Sequence, residues 1–246
     1  MNRNLPTFEE AEGRNKLSHF TVQGFDLNGV IHGGANDGEE IHNYIRMGID
    51  YIIGFEPMTG VFEKLQEDCI RWPGELGIYP KQLNVYKQAL HNKNTIELLH
   101  RSVGDGKGST LFDVNMEHEE VVKNWNQGQG MFEDDEAVQA RCFDIQWLGW
   151  NPDVKIENYD TLLLDTQGNE FEIIEGMGDV LQNFKYLCLE LSIEPAYKQE
   201  TPAQKVSDWL AERGFVQDSP LYSHNDAFFI RKDIKPTSDQ VYRGRC

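Results

Sequence analysis

The 246-residue chain contains no run approaching the roughly 18 consecutive apolar residues that would cross a bilayer, so no membrane insertion is expected. Its first residues, Met1 to Glu12, are polar and acidic and have neither signal-peptide nor transit-peptide character, so a cytoplasmic protein is expected. Cysteine is sparse. Cys69, Cys142, Cys188 and Cys246 stand apart, with no CxxC pair and no histidine at finger spacing, which argues against a disulfide framework and a structural zinc site. Positive charge is scarce as well: 23 Lys and Arg against 41 Asp and Glu leave a formal net charge of -18. Such a balance repels a phosphate backbone and lacks the basic footprint of nucleic-acid recognition, so DNA and bulk RNA are poor candidate substrates. Only the last stretch, with Lys232, Lys235, Arg243 and Arg245, leans basic, and it reads as a solvated tail. No internal repeat of 20 to 50 residues is visible.

What is present is an alternation of apolar runs and helical patterns, in one domain with decorations: a lead-in over 1–28, an organised domain over 29–231 and a tail over 232–246. Val30-Ile31-His32 runs into the glycine turn Gly33 to Gly38, and Ile41, Tyr44 and Ile45 recur at helical spacing as far as Gly48. Tyr51 to Phe55 is a second apolar run, closed by Glu56-Pro57 and followed by a helix that Thr59 is placed to cap. The stretch from Trp72 to Pro80 reads as loop, and Leu83 to Leu90 as a third strand. Thr95 to His100 and Ser109 to Val114 look like two strands around a turn at Asp105-Gly106. The acid-rich stretch that follows, within an excursion over about 95–140, reads either as a lid or as a solvated insertion. Thr161 to Leu164 and Tyr186 to Leu191 are continuously apolar, as strands covered on both faces should be. Thr201-Pro202-Ala203-Gln204 opens a helix with a capping box, and Phe215-Val216 and Ala227 to Arg231 complete the set of strands. Together these imply an α/β fold with a mostly parallel sheet and right-handed crossovers.

In such a sheet a ligand lies past the carboxyl ends of the strands, where strand order reverses. The informative positions are therefore Gly33 to Gly38, Glu56-Pro57, Ala89-Leu90, Asp165, Glu190 and the stretch His224 to Asp226. The glycine turn lets a ligand approach the backbone and aims amide N–H groups at it. Glu56, about 20 residues on, is placed to accept hydrogen bonds from both ribose hydroxyls of a nucleoside. Gly33-x-Ala35-x-x-Gly38 also fits a loose dinucleotide fingerprint, which keeps an NAD-dependent oxidoreductase and a non-catalytic nucleoside-binding module as alternatives. Asn36 and Asp37, polar side chains suited to an amino acid's ammonium group, favour S-adenosylmethionine.

The chain resembles the FkbM-type methyltransferases. The resemblance rests on Ile31 to Glu40, on Ile53 to Pro57 with Phe62 to Leu65, and on Leu164 to Glu170 with Gly176. It continues through Glu190-Leu191-Ser192, Glu194 to Lys198, Gly214-Phe215 and Asn225 to Phe229, so the ordered match covers about residues 29 to 231. It implies a Rossmann-like class I methyltransferase sheet of seven strands with the last antiparallel, helices on both faces, and S-adenosylmethionine as donor. By that likeness Gly34, Asn36 and Gly38 line the methionine end, Glu56 with Pro57 the ribose, and Ala89-Leu90 the adenine. His32 stands where many relatives carry an aspartate and is either a cofactor contact or a satisfied buried histidine; Ala196 replaces a frequent leucine.

The substrate class implied by the likeness is a hydroxyl on a glycan or small molecule. An activated methyl needs in-line alignment and a dry pocket, and an alcohol must also lose its proton. Asp165, emerging from a buried strand, is the first candidate for base or orienting group, and His224, which titrates nearest neutrality, is the second. Ser109, Glu190, Glu194 and Tyr197 are the candidate acceptor contacts, with Asp226 at a neighbouring strand end. Strand-end carboxylates also suit Mg²⁺, but no diagnostic spacing assigns a metal.

Overall fold

The computed structural model describes residues 15–102, 107–117, 132–223 and 225–236, the side chain of Glu133 aside. Its large sheet is built from the runs that are apolar on both faces. In β1 (Gly29–Gly33) every residue is buried, with Val30 and Ile31 pointing into opposite cores. β7 (Thr161–Leu164) does the same: Leu162 and Leu164 join one core, and Leu163 the other. Strand side chains alternate with period two, so a strand covered on both sides must be apolar throughout.

The remaining strands of this sheet are β2 (Tyr51–Phe55), β3 (Gln82–Tyr86), β8 (Tyr186–Leu191), β9 (Phe215–Gln217) and β10 (Asn225–Arg231). The seven-stranded order is β3-β2-β1-β7-β8-β10-β9, with parallel pairs throughout except β10, which is antiparallel to both neighbours. The expected class I methyltransferase sheet is thus present. One face is covered by α1 (Ser18–Thr21), α2 (Glu39–Arg46) and α3 (Thr59–Leu76), the other by α4 (Ile145–Trp150), α5 (Glu170–Gly176) and α6 (Ala203–Glu212). Leu17 and Phe20, at the N-terminal edge of the described chain, are fully buried in the first of these cores. Strand order reverses between β1 and β7, and this opens the crevice.

Several local features differ from the sequence reading. α3 continues through Pro73 to Leu76 and stops at Gly77, because Leu65, Cys69 and Trp72 bury at helical spacing and carry the helix past the proline. Thr59 is its first residue, and its backbone N–H donates to Glu136 rather than its hydroxyl acting as cap. Thr201 does not cap α6 either: the first N–H, from Ala203, goes to the Ser192 carbonyl at 2.8 Å.

A second sheet of three strands has the order β4-β6-β5, formed by β4 (Ala89–Leu90), β6 (Phe132–Arg141) and β5 (Thr95–Ser102). The antiparallel partner of β5 is β6, not 109–114, which makes two isolated bridges, Thr110 to His100 of β5 and Val114 to Tyr197. Ala89-Leu90 leaves the β3 direction to pair with β6, so the expected third strand is two. Acidic residues 134–136, expected in an insertion, belong to β6. The turn at 105–106 and residues 118–131 lie outside the described residues.

Candidate active site

Four of the cavity-forming segments follow the ends of strands β1, β2, β3 and β7. β1 runs into a turn in which Gly34 and Ala35 both donate to the Phe55 carbonyl of β2, at 3.0 and 2.9 Å. Gly34 has φ +79°, and a Cβ there would sit 1.9 Å from the Asp165 carbonyl oxygen, so only glycine lets β1 and β7 close up. Asn36 follows with φ 44°, and its N–H donates to Glu56 Oε2 at 2.9 Å. The other oxygen, Oε1, accepts from Met58 N–H at 2.8 Å. Glu56 is itself pinned by its N–H to the Tyr86 carbonyl, which extends the β2 ladder by one residue. Burial pushes its carboxyl up to about 7 despite those two N–H bonds.

These elements enclose a cavity of ≈ 250 Å³. Gly34, Asn36, Asp37, Glu56 and Pro57 line it, with Asp165, Thr166 and Gln167 adjoining the Gly34 turn. Ala89, Leu90, Leu99 and Leu111 supply apolar wall, and Ser109 and Lys107 come from the segment after β5. That segment is tied down across the opening: Thr110 Oγ1 donates to the Gln167 carbonyl at 2.7 Å, Asn115 N–H to the Ala196 carbonyl at 2.7 Å, and Lys198 N–H to the Asp113 carbonyl at 2.9 Å.

The other sequence-derived candidates stand elsewhere. Gly38 begins α2 with φ 78° behind the turn, and a Cβ there would run into Leu65 and Trp72. His32 is buried beneath the turn, its Nδ1 3.3 Å from the Tyr44 hydroxyl, and burial followed by the nearby Lys16 ammonium pushes it down to about 3, so it is neutral. Glu190 and Tyr197 lie behind the cavity wall, bonded to Gln167. Glu194 is exposed. His224 lies outside the described residues.

Asp165 carries the electrostatics beside the Gly34 turn. Gln167 Nε2 donates to its Oδ1 at 2.9 Å, and Lys16 Nζ to its Oδ2 at 2.8 Å. Burial alone would raise this carboxyl, but the hydrogen bond with Glu190 and the Lys16 ammonium outweigh it, so Asp165 stays ionised. Glu190 goes the other way: burial and the adjacent Asp165 charge hold it well above the usual carboxylate range, so it keeps its proton.

Sequence reasoning missed two residues here. Gln167 has φ 57° and uses its amide three ways, donating to Asp165 and to Glu190 (2.6 Å) and accepting from the Tyr197 hydroxyl (3.1 Å). Its place between Asp165 and Gly168 was the only available signal. Lys16, 149 residues from Asp165, had none.

A nucleoside with a cationic amino-acid arm fits these residues. Each Glu56 oxygen accepts one N–H bond and keeps acceptor capacity for a ribose hydroxyl. Asp37, Glu39 and Asp165 face the cavity together with Glu40 and Glu56, whose burial favours their neutral forms, against Lys107, a balance that suits a ligand bearing positive charge. No group of His, Cys, Asp and Glu among the described residues is arranged to hold a metal, and no described helix is long and apolar enough to cross a membrane.

Comparison with known proteins gives the same architecture. A family model described as the Methyltransferase FkbM domain matches residues 32–216. The 2-O-methyltransferase NoeI of Sinorhizobium fredii is 22% identical over 193 residues, which cover 78% of this chain and 74% of that protein. The crystal structure of Methyltransferase FkbM from Methylobacillus flagellatus KT superposes with a TM-score of 0.50 at 10% identity, over 83% of this chain and 43% of that one. The present chain thus spans under half the length of that relative. Magnesium protoporphyrin IX methyltransferase from Synechocystis, solved with bound SAM, gives a TM-score of 0.43 at 13% identity, over 94% and 86% of the two chains.

Proposed function

The chain belongs to the FkbM family of S-adenosylmethionine-dependent methyltransferases, and from that premise we propose that it methylates a hydroxyl oxygen on a sugar, glycan or other small molecule. The donor brings a methyl group already activated on a sulfonium. The protein's task is then to align the acceptor, exclude water and take up a proton. In this reading Gly34, Asn36 and Asp37 hold the amino-acid arm, Glu56 beside Pro57 the ribose, and Ala89 and Leu90 the base. Asp165 accepts the hydrogen bond of the acceptor hydroxyl, orients its lone pair toward the methyl, and receives the proton as the oxygen is alkylated. Its low proton affinity suits an orienting role before that moment. Ser109, on the segment across the opening, contacts the acceptor, while Glu190 and Tyr197 act through Gln167.

One observation carries the proposal: an ionised Asp165, held at both oxygens, lines the same cavity as Glu56 and the Gly34 turn. The likeness to a 2-O-methyltransferase supports oxygen as the acceptor atom. The acidic lining and the net charge of -18 favour a small neutral acceptor over nucleic acid. Three buried free thiols, Cys69, Cys142 and Cys188, suit a cytoplasmic setting.

The test is incubation with S-adenosylmethionine carrying a tritiated methyl and a panel of saccharides, small alcohols, amines and carboxylic acids. Base-stable ether label with equimolar S-adenosylhomocysteine is the expected result. Label found only on nitrogen, or only as base-labile ester, would overturn the assignment to a hydroxyl.

A further inference from the structure

We infer that Lys16 is a positioning residue for methyl transfer: delivered by the N-terminal segment, it fixes and charges Asp165 from behind the cavity. The inference rests on the reading of Asp165 as the carboxylate that meets the acceptor. Lys16 Nζ lies 2.8 Å from Asp165 Oδ2 and 2.9 Å from Asp226 Oδ1, so one ammonium joins the end of β7 to the start of β10. Both Lys16 and Asp226 fall outside the 32–216 span of the family match. The segment that presents Lys16 is anchored by its neighbours: Leu17 and Phe20 are fully buried, and the His19 ring stacks on Phe228 of β10 at 3.9 Å.

The geometry favours orientation over simple charge balance. Lys16 grips one Asp165 oxygen and Gln167 Nε2 the other, so the carboxylate can neither rotate nor swing into the cavity. Lys16 itself does not line the cavity, and its three donors already face two carboxylates, which leaves it poorly placed to bind an acceptor.

The surroundings make its charge hard to replace. His32 on β1, Tyr44 on α2 and Cys188 on β8 are buried in uncharged form, and Glu190 on β8 holds its proton. Glu40 on α2, Glu170 on α5 and Tyr197 after β8 are each held by burial toward the neutral form. Lys16 is thus the cation that contacts Asp165, while Lys107, which lines the same cavity, lies 3.9 Å from Glu39. Without it, only the hydrogen bonds with Glu190 and Gln167 oppose burial and the Asp226 charge, so protonation of Asp165 becomes easier.

The experiment is a ¹³C NMR titration of full-length protein labelled at the aspartate side-chain carboxyl, with the Asp165 signal identified by its loss in Asp165→Asn. Wild type should show no Asp165 titration down to about pH 4. Lys16→Met and Lys16→Gln should bring an Asp165 midpoint above about pH 4, where wild type shows none, and Lys16→Arg should return it below about pH 4. A lysine that served only to bridge the N-terminal segment to Asp226 would lower thermal stability on replacement and leave the Asp165 midpoint alone. Unmoved midpoints in the two neutral variants, or no rescue by arginine, would overturn the inference. Calorimetric titration of S-adenosylhomocysteine into the same wild-type sample reads the other claim: absent binding would sink the functional reading while the Lys16 result stood.

Discussion

Glu56 accepts the backbone N–H of Asn36 at 2.9 Å, and this bond ties the end of β2 to the turn that leaves β1. The same carboxylate therefore shapes the turn and faces the cavity. Replacing Glu56 by Ala should weaken S-adenosylhomocysteine binding by about 1.5–3 kcal/mol, read by calorimetry, because charged hydrogen bonds are lost on both counts. Unchanged affinity would remove Glu56 from the nucleoside site. Since burial sets its carboxyl at about 7, binding should strengthen as pH rises through that value, where the anion becomes the major form.

Stability should move the opposite way with pH. Burial raises the folded-state values of Glu56 and Glu170, the latter to about 8, above those of the unfolded chain. A raised value means that the folded state holds protons which the unfolded state releases. Their contribution is complete below the unfolded pKa and is lost as pH climbs toward 8. Chemical denaturation across that interval should show falling stability, at up to about 1.4 kcal/mol per pH unit for each group. A flat or rising profile would contradict this charge state. Glu170→Gln should flatten the slope, at an overall cost of about 1–3 kcal/mol, because its new amide faces the N–H groups of Thr166 and Gly168 that the carboxylate now accepts.

Asp165→Asn should abolish transfer while leaving S-adenosylhomocysteine affinity within about threefold, a change of under 1 kcal/mol. It also leaves half-buried Lys16 with Asp226 alone, at an expected cost of about 1–3 kcal/mol in denaturant unfolding. Retained turnover would exclude Asp165 from the chemistry.

Gly34→Ala should cost at least about 2 kcal/mol, since it combines a left-handed backbone with a Cβ driven into the Asp165 carbonyl. Donor binding should fail with it, because the turn and Asp165 must move apart. A stable, donor-binding alanine variant would show that the close approach of β1 and β7 is dispensable.

Much of the sheet was legible because its strands are buried on both faces: Val30-Ile31 and Thr161 to Leu164 announce themselves by unbroken apolar character. The turn and Glu56 were legible for a related reason, as positions just past those strands. The partner of β5 was not. β6 opens with acidic residues instead of an apolar alternation, and Glu136 is spent on the α3 N-terminus, where it accepts from Thr59 N–H at 3.1 Å. Pro73 misled for lack of tertiary context, since buried Trp72 holds that last turn of α3 in place. Lys16 and Gln167 were invisible because their roles exist only through contacts: one bridges 149 residues, and the other adopts a left-handed backbone that its residue type does not advertise.

The most direct test is a crystal structure of the complex with S-adenosylhomocysteine. Both ribose hydroxyls should lie within hydrogen-bond reach of the Glu56 carboxylate, the amino-acid arm along Gly34 to Asp37, and the sulfur on the side of the cavity that Asp165 lines. A ribose held away from Glu56, or a sulfur facing away from Asp165, would contradict the shared cavity on which methyl transfer by this chain depends.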